Sequence, residues 1–288
     1  ICWSLFSSRF LVSFSVADMQ DYFSQLIHTF SASFLDRIKQ EQALSTQIID
    51  SQASKESLLT PIFIVGQPRS GSTLLEQMLC GHSDIKTAGE LPFLAGDIAQ
   101  GVNQITGQEF PLGCKKLTAE QCRSLGKHYL NRMQEIAPKA KFIIDKMPAN
   151  YQSIGLIKML LPQAKIIHIT RDVKDVSWSI FTNHFAANEP YFCSLEEIIH
   201  YHQKYLEVME HWQNVLPNFV HHISYEELVK QPSDVLTGIL IFCGLNFQNA
   251  CLDFSKQDRY ISTLSDVQLR KGLTERKTRA WKAYEKFL

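Results

Sequence analysis

Between Ala17 and Gln47 apolar residues recur three and four positions apart, at Met19, Phe23, Leu26, Ile27, Phe30, Phe34, Leu35 and Ile38. That spacing gathers side chains on one face of an amphipathic helix. The polar stretch Asp50 to Ser57 ends the pattern and reads as a linker. The pattern then changes: Pro61-Ile-Phe-Ile-Val-Gly66 is a short unbroken apolar run, and Lys141 to Ile144, Lys165 to Thr170 and Phe219 to Ile223 are three more strand candidates. Short runs of this kind suit strands buried on both faces. Each leads toward helical composition, in Thr73-Leu-Leu-Glu-Gln-Met-Leu79, Tyr151 to Leu161, Val173 to Phe185, and Tyr225 to Cys243 with a break at Pro232. Leu195 to Leu216 is a further long helix with an aromatic and His-rich side. Strands alternating with helices predict an α/β fold, a parallel sheet flanked by helices, preceded by a helical extension. Residues 1–57 are assigned to the extension and 58–288 to the α/β domain. No internal repeat or low-complexity tract interrupts them.

The chain has 288 residues, 45% of them apolar, enough for one sizeable core. Lys+Arg and Asp+Glu are equal at 29 each, so overall charge argues for neither nucleic acid nor an anionic membrane as partner. An anion must be met by local arrangement. The seven cysteines are scattered without a CxxC pair, as expected of reduced, buried thiols. Ile1 to Val16 is apolar but carries five Ser and Arg9, and falls short of the roughly 20 residues of a membrane span. Ser15-Val16-Ala17 looks like a signal-peptidase site, yet no basic segment precedes it, so a packed helix is expected. Opening on Ile, the chain reads as part of a longer protein.

Gly66-Gln-Pro-Arg-Ser-Gly-Ser-Thr73 has the spacing of a phosphate-binding P-loop between strand and helix, with Ser72 standing where a nucleotide triphosphatase has Lys. A cation is supplied within the loop by Arg69, and Ser72 and Thr73 open the helix beside its unpaired N–H groups. Such a nest suits a single terminal phosphate better than a magnesium triphosphate. The same loop leaves two other readings open: a P-loop kinase of small molecules, against which the missing Lys argues, and a non-catalytic nucleotide-binding module.

Ile64-Val-Gly-Gln-Pro-Arg-Ser-Gly-Ser-Thr-Leu-Leu-Glu-Gln77 resembles the 5′-phosphosulfate loop of sulfotransferases, in particular the bacterial domain that often follows tetratricopeptide repeats and is related to protein-tyrosine sulfotransferases. The resemblance continues through Ala88-Gly-Glu-Leu91, Asp145-Lys-Met-Pro148, Ile167-His-Ile-Thr-Arg-Asp172, Tyr225-Glu-Glu-Leu228, Phe242-Cys-Gly-Leu245 and Arg279-Ala-Trp-Lys-Ala-Tyr-Glu285. It implies a P-loop-type sheet and transfer of a sulfuryl group from 3′-phosphoadenosine 5′-phosphosulfate, without metal, to a hydroxyl of a peptide, sugar or lipid. It implies that Glu90 is the general base and that Lys146 meets the leaving phosphate together with Arg69. Pro68, Arg69, Ser70, Gly71, Ser72 and Thr73 would hold the 5′-phosphosulfate, Arg171 and Ser179 the 3′-phosphate, with Tyr225 and Ser265 beside the nucleotide. Asp266 to Leu288 carries seven Lys/Arg against three acids and reads as a basic lid. Relatives have a basic residue where this chain has Ala280, so Arg279 or Arg276 is expected to replace it. The helical N-terminus would be the end of upstream helical repeats.

His82, at the end of the P-loop helix where the dipole favours an imidazolium, is expected to be a cap or a group supporting the site rather than the base. Gly89 is expected to allow close backbone approach to a ligand. His168 reads as a core histidine, and His200, His202, His211, His221 and His222 match no closed metal site. The acceptor would be chosen by loops such as Leu91 to Lys116 and Asn183 to Ser194. The cysteine pattern lacks the pairs expected of the Golgi tyrosine enzymes, which favours a reducing cytoplasm.

Overall fold

The computed structural model describes residues 16–49, 59–182 and 194–253, with 281, 282 and 285 near the C-terminus. Among these residues the expected parallel sheet has five strands: β1 (Thr60–Gly66), β2 (Ile85–Thr87), β3 (Phe142–Asp145), β4 (Lys165–Thr170) and β5 (Val220–Ser224). Their order is β2-β3-β1-β4-β5, every neighbouring pair parallel. Chain order takes β1 toward β2 and β3 on one side, then β4 toward β5 on the other. The direction of winding therefore reverses between β1 and β4, the place where open α/β sheets bind ligands.

The apolar runs are explained by what covers them. Phe63, Val65, Ile143 and Ile166 point to one face, where α1 (Val16–Thr29), α2 (Ala32–Ile49), α5 (Ala119–Ile136), α6 (Ile154–Leu160) and α8 (Leu195–Val215) pack. Ile62, Ile64, Ile144, Ile167 and Ile169 point to the other, against α3 (Ser72–Leu79), α9 (Tyr225–Lys230) and α10 (Pro232–Cys243). Alternate side chains on a strand face opposite ways, so a strand covered on both sides must be apolar throughout. Two helices complete the order: α4 (Ala99–Thr106), which follows a π-helical turn at Leu94–Ile98, and α7 (Val173–Thr182) after β4.

The single helix expected over Ala17 to Gln47 is two. Phe30 and Ser31 break it, and the Ser31 carbonyl accepts the Leu35 N–H at 3.1 Å, the first bond of α2. The break turns Phe30 fully inward, where its ring meets Trp212 edge-on at 5.6 Å. A 3.6-residue periodicity cannot reveal such a break, because the apolar stripe continues through it. The helix expected over Tyr151 to Leu161 begins instead with a 3₁₀ turn at Pro148–Ser153, and β5 starts one residue later than expected. Phe185, the expected end of α7, lies outside the described residues.

His168 is the core histidine its isoleucine neighbours suggested. It points to the α8 face, where its Nε2 meets the Tyr205 hydroxyl and its Nδ1 lies 2.8 Å from Nδ1 of His222 on β5. Burial, with His222 nearby, pushes His168 down to about 3. The other clustered histidines serve packing too: His211 reaches the Phe30 carbonyl at 2.9 Å, His221 stacks on Phe242, and His200 meets Gln20. Cys80, Cys114, Cys122, Cys243 and Cys251 are buried thiols, and none of the described helices is long and apolar enough to cross a membrane.

A histidine whose folded pKa lies below its unfolded value near 6.5 is protonated first in the unfolded chain, so its stabilising contribution is lost as pH falls from 6.5 toward 3. His168 alone accounts for about 2 kcal/mol of lost stability between pH 7 and pH 5. Urea unfolding at the two pH values is expected to show His168→Gln losing about that much less than the unsubstituted chain. An equal loss in both would assign the acid sensitivity elsewhere.

Candidate functional site

The P-loop leaves β1 at Gly66 and enters α3 at Ser72. Gly71 caps the helix at φ 103°, a left-handed conformation that L side chains rarely adopt, and a Cβ there would come within 2.4 Å of the Tyr225 ring. Glycine is thus required twice over, by conformation and by space. Arg69 also has a left-handed backbone, at φ 69°, a strain of about 1–3 kcal/mol for a residue with a Cβ. Its Nε donates to the Ser179 hydroxyl on α7 at 2.8 Å. Burial lowers the Arg69 pKa, and the neighbouring charge of Arg171 lowers it further.

Arg171, just past β4, donates from Nη1 to the Arg69 carbonyl at 3.2 Å, lies 3.9 Å from an Asp175 carboxylate oxygen, and sets its guanidinium 4.5 Å from the centre of the Tyr225 ring. Tyr225 stands at the first position of α9, capped by Ser224, whose hydroxyl accepts the Glu227 N–H at 3.1 Å. Burial raises the Tyr225 pKa against the opposing pull of Arg171. Arg69, Arg171, Ser179 and Tyr225, drawn from the P-loop, the end of β4, α7 and α9, therefore form one cluster on the β4 side of the loop. The pairing of Arg171 with Asp175 exists beside this gathering, not instead of it.

On the β3 side stands Lys146, which follows the last residue of the strand as expected but is only 1% exposed. Its ammonium lies 2.5 Å from Glu90 Oε1 and 3.9 Å from Glu76 Oε2. Glu90 is exposed, three residues past the short β2, while Glu76 is buried on α3. Thr87 Oγ1 donates to Glu76 Oε1 at 2.5 Å and accepts the Gly89 N–H at 3.0 Å, and Lys146 N–H donates to the Gly89 carbonyl at 2.9 Å. Burial raises the Glu76 pKa, which Lys146 and Thr87 pull back down. Asp145, wholly buried and bonded to the Tyr129 hydroxyl at 2.7 Å, is pushed up to about 7 by burial.

Gly89, His82 and His202 complete the surroundings of the loop. Gly89 has φ 72°, a left-handed conformation that favours glycine, with nothing within 4 Å of where a Cβ would stand. His82 lies beyond the end of α3 and is buried, its Nδ1 accepting the Asp84 N–H at 3.1 Å and its Nε2 at 3.1 Å from the Asn246 carbonyl. His82 thus ties the end of α3 to the loops at Asp84 and Asn246. On the His-rich side of α8, His202 Nδ1 reaches Gln67 Oε1 of the P-loop at 2.5 Å. Ser265, Arg276 and Arg279 lie outside the described residues, as does most of the proposed lid. Trp281 is described; its buried ring receives the Lys174 ammonium of α7 at 4.4 Å.

Glu76 and Thr87 were not singled out from the sequence. The available signal was a lone acid within the helical run Ser72–Leu79, four residues after Ser72, but helical pattern alone cannot say whether such an acid faces water. Among the described residues no group of three or more His, Cys, Asp or Glu gathers as metal ligands would.

A sequence model of the sulfotransferase family matches residues 61–249, from β1 past α10, a span that includes Arg69, Glu90, Lys146, Arg171, Ser179 and Tyr225. The chain is 34% identical over 236 residues to an uncharacterized protein of Aquifex aeolicus, covering 79% of this chain and 31% of that protein. It is 23% identical over 214 residues to a protein-tyrosine sulfotransferase of Drosophila melanogaster, covering 73% and 42%. It thus spans less than half the length of these two relatives. The sulfotransferase domain of the Synechococcus PCC 7002 olefin synthase shares the fold, with a TM-score of 0.56 at 24% identity over 81% of this chain and 90% of that one. A sulfotransferase domain from the curacin biosynthetic pathway gives 0.51 at 23%, over 78% and 91%. The chain belongs to the sulfotransferase family and is a transferase.

Proposed function

We propose that this chain transfers a sulfuryl group from 3′-phosphoadenosine 5′-phosphosulfate to an acceptor hydroxyl, with Glu90 as general base. The observation that carries the reading is the 2.5 Å pair between Lys146 and Glu90 beside the P-loop. Glu90 is the exposed end of this pair and Lys146 the buried end, so one faces an incoming acceptor while the other stays with the loop. Glu90 takes the acceptor's proton as the new oxygen–sulfur bond forms. Lys146 meets the charge gained by the departing phosphate oxygen as its bond to sulfur breaks. The two events are linked, because a protonated Glu90 no longer holds the ammonium.

The residues present fit the donor. Ser70 Oγ is buried in the P-loop without a hydrogen-bond partner among the described residues, and the N–H groups opening α3 lie beside it. Arg69 and Arg171 bring two like charges together, an arrangement that an anion between or beside them relieves. Pro68 and Gly71 to Thr73 would shape the 5′-phosphosulfate nest, Arg171 and Ser179 would select the 3′-phosphate, and Tyr225 would lie against the nucleotide. Ser265 and Arg279 would complete the cover.

Residues 58–288 are read as the catalytic unit, with the N-terminal helices bracing one face of its sheet. Distant similarity to protein-tyrosine sulfotransferases makes tyrosyl peptides the first acceptors to try, followed by sugars and lipids. The buried thiols agree with a reducing compartment.

Transfer of ³⁵S-labelled sulfate from the donor to a panel of tyrosyl peptides, sugars and lipids, without added metal, tests the activity. Glu90→Gln is expected to lower kcat by about 10²- to 10⁴-fold, the usual contribution of a general base. Absence of transfer to every acceptor, or full activity in Glu90→Gln, would overturn the proposal, as would magnesium-dependent phosphoryl transfer from ATP in its place.

Arg171→Ala is expected to weaken calorimetric binding of 3′-phosphoadenosine 5′-phosphate by about 10- to 100-fold, the loss of a charge-assisted hydrogen bond. Adenosine 5′-phosphosulfate, which lacks the 3′-phosphate, should bind both forms alike. Equal weakening of the two ligands would remove Arg171 from 3′-phosphate recognition.

A further inference from the structure

We propose that Glu76 is a positioning residue for sulfuryl transfer: its carboxylate is the standing counter-ion that holds the Lys146 ammonium between the P-loop helix and Glu90. The inference rests on the function proposed above.

Every residue of α3 is buried, Glu76 included. Taking a carboxylate out of water costs several kcal/mol even after relaxation, and burial raises the Glu76 pKa accordingly. A glutamine would fill the same volume and could accept the Thr87 hydroxyl as Glu76 does. Packing and hydrogen bonding therefore leave the charge unexplained. The cation within ion-pair distance of that charge is Lys146, itself 1% exposed, with its Nζ 3.9 Å from Glu76 Oε2.

Lys146 already has a closer partner in Glu90, at 2.5 Å. That partner is temporary in the proposed reaction. Once Glu90 has taken the acceptor's proton it is neutral, and a buried ammonium with no other carboxylate would lose its counter-charge at the moment it is needed at the departing phosphate. Glu76 touches no acceptor and exchanges no proton in this scheme. At 3.9 Å it attracts the ammonium without occupying a hydrogen-bonding direction, leaving those directions to Glu90 and the phosphate.

The position of Glu76 is itself fixed from two sides. Its backbone belongs to the helix that opens at the phosphate nest, and its Oε1 is held by Thr87, whose hydroxyl also accepts the Gly89 N–H in the loop that carries Glu90. The carboxylate thus sets Lys146 relative to both the P-loop and the base.

Glu76→Gln keeps shape and the acceptor for Thr87 and removes only charge. With the acceptor found in the panel above, it is expected to lower kcat about 10- to 100-fold while the KM for 3′-phosphoadenosine 5′-phosphosulfate stays unchanged or falls, since a negative charge near an anion site has been removed. Glu76→Asp, which keeps the charge on a shorter stem, should recover part of kcat. Calorimetric binding of 3′-phosphoadenosine 5′-phosphate serves as the measure of an intact nest and should persist in both variants. Wild-type kcat in Glu76→Gln would overturn the inference, as would equal loss of kcat and nucleotide binding in both variants, which would mark a merely structural residue. Glu90→Gln separates the two claims: if it retains full activity the proposed base fails and this inference with it, whereas an inactive Glu90→Gln beside a fully active Glu76→Gln defeats the positioning role alone.

Discussion

A lysine ammonium with 1% of its residue exposed has to be paired, and the arrangement of the β3 side of the site follows from how it is done. Desolvating one ammonium costs several kcal/mol, so Lys146 must meet carboxylate where the sheet delivers it. It has little freedom of its own: its N–H is bonded to the Gly89 carbonyl, and Asp145 before it is anchored by the Tyr129 hydroxyl. The carboxylates therefore come to the lysine. Glu76 arrives from the P-loop helix and Glu90 from a turn that Gly89 makes possible by its left-handed backbone. The P-loop helix and the loop that carries Glu90 are thereby joined through one cation.

The β4 side gathers two guanidinium groups, with Asp175 beside one of them. Arg69 is held in a left-handed conformation with its side chain on Ser179, and burial, with Arg171 nearby, depresses its pKa. Strain and repulsion of this sort are maintained by surroundings that leave no easier alternative. Here Gly71 packed under the Tyr225 ring, and Tyr225 under the Arg171 guanidinium, supply that constraint. In the proposed reaction the donor's anionic groups would recover part of that cost. Under the proposed function, binding energy for a phosphate would thus be stored in the fold before ligand arrives, the usual meaning of preorganisation.

Local pattern made the elements legible. Lys165 to Thr170 has the bounds read from its apolar run, since a strand covered on both faces must be apolar at successive positions. The P-loop was equally readable because its chemistry is contiguous in sequence. The α1–α2 break was hidden because Phe30 belongs to the apolar stripe on either reading. Glu76 was hidden for a related reason: an acid inside a helix is ordinarily on its wet face, and only the packing of α3 against the sheet reveals that this helix has no wet face. Lys146 and Arg171 were located by their place after strands, but their partners come from other elements, and no spacing rule links Glu76 to Lys146 or Arg69 to Ser179.

Sheet register explains why these two unlike halves can serve one ligand. β1 lies between β3 and β4, with Phe63 opposite Asp145 and Gly66 opposite Ile169. Lys146 is one residue beyond the first of these pairs and Arg171 two residues beyond the second. The P-loop rises from the strand between them, so the two cations stand on opposite sides of it, fixed by hydrogen-bonded strands instead of by loops. A nucleotide carrying anionic groups at both its 5′ and 3′ positions matches cations separated in this way, whereas a group with charge at one end alone would use only half the site. Because the separation is set by β pairing, the loops around it can change in length and composition without disturbing it. In the proposed reaction, recognition of the donor would thus belong to the sheet, and acceptor choice would vary in those loops at little cost to the chemistry.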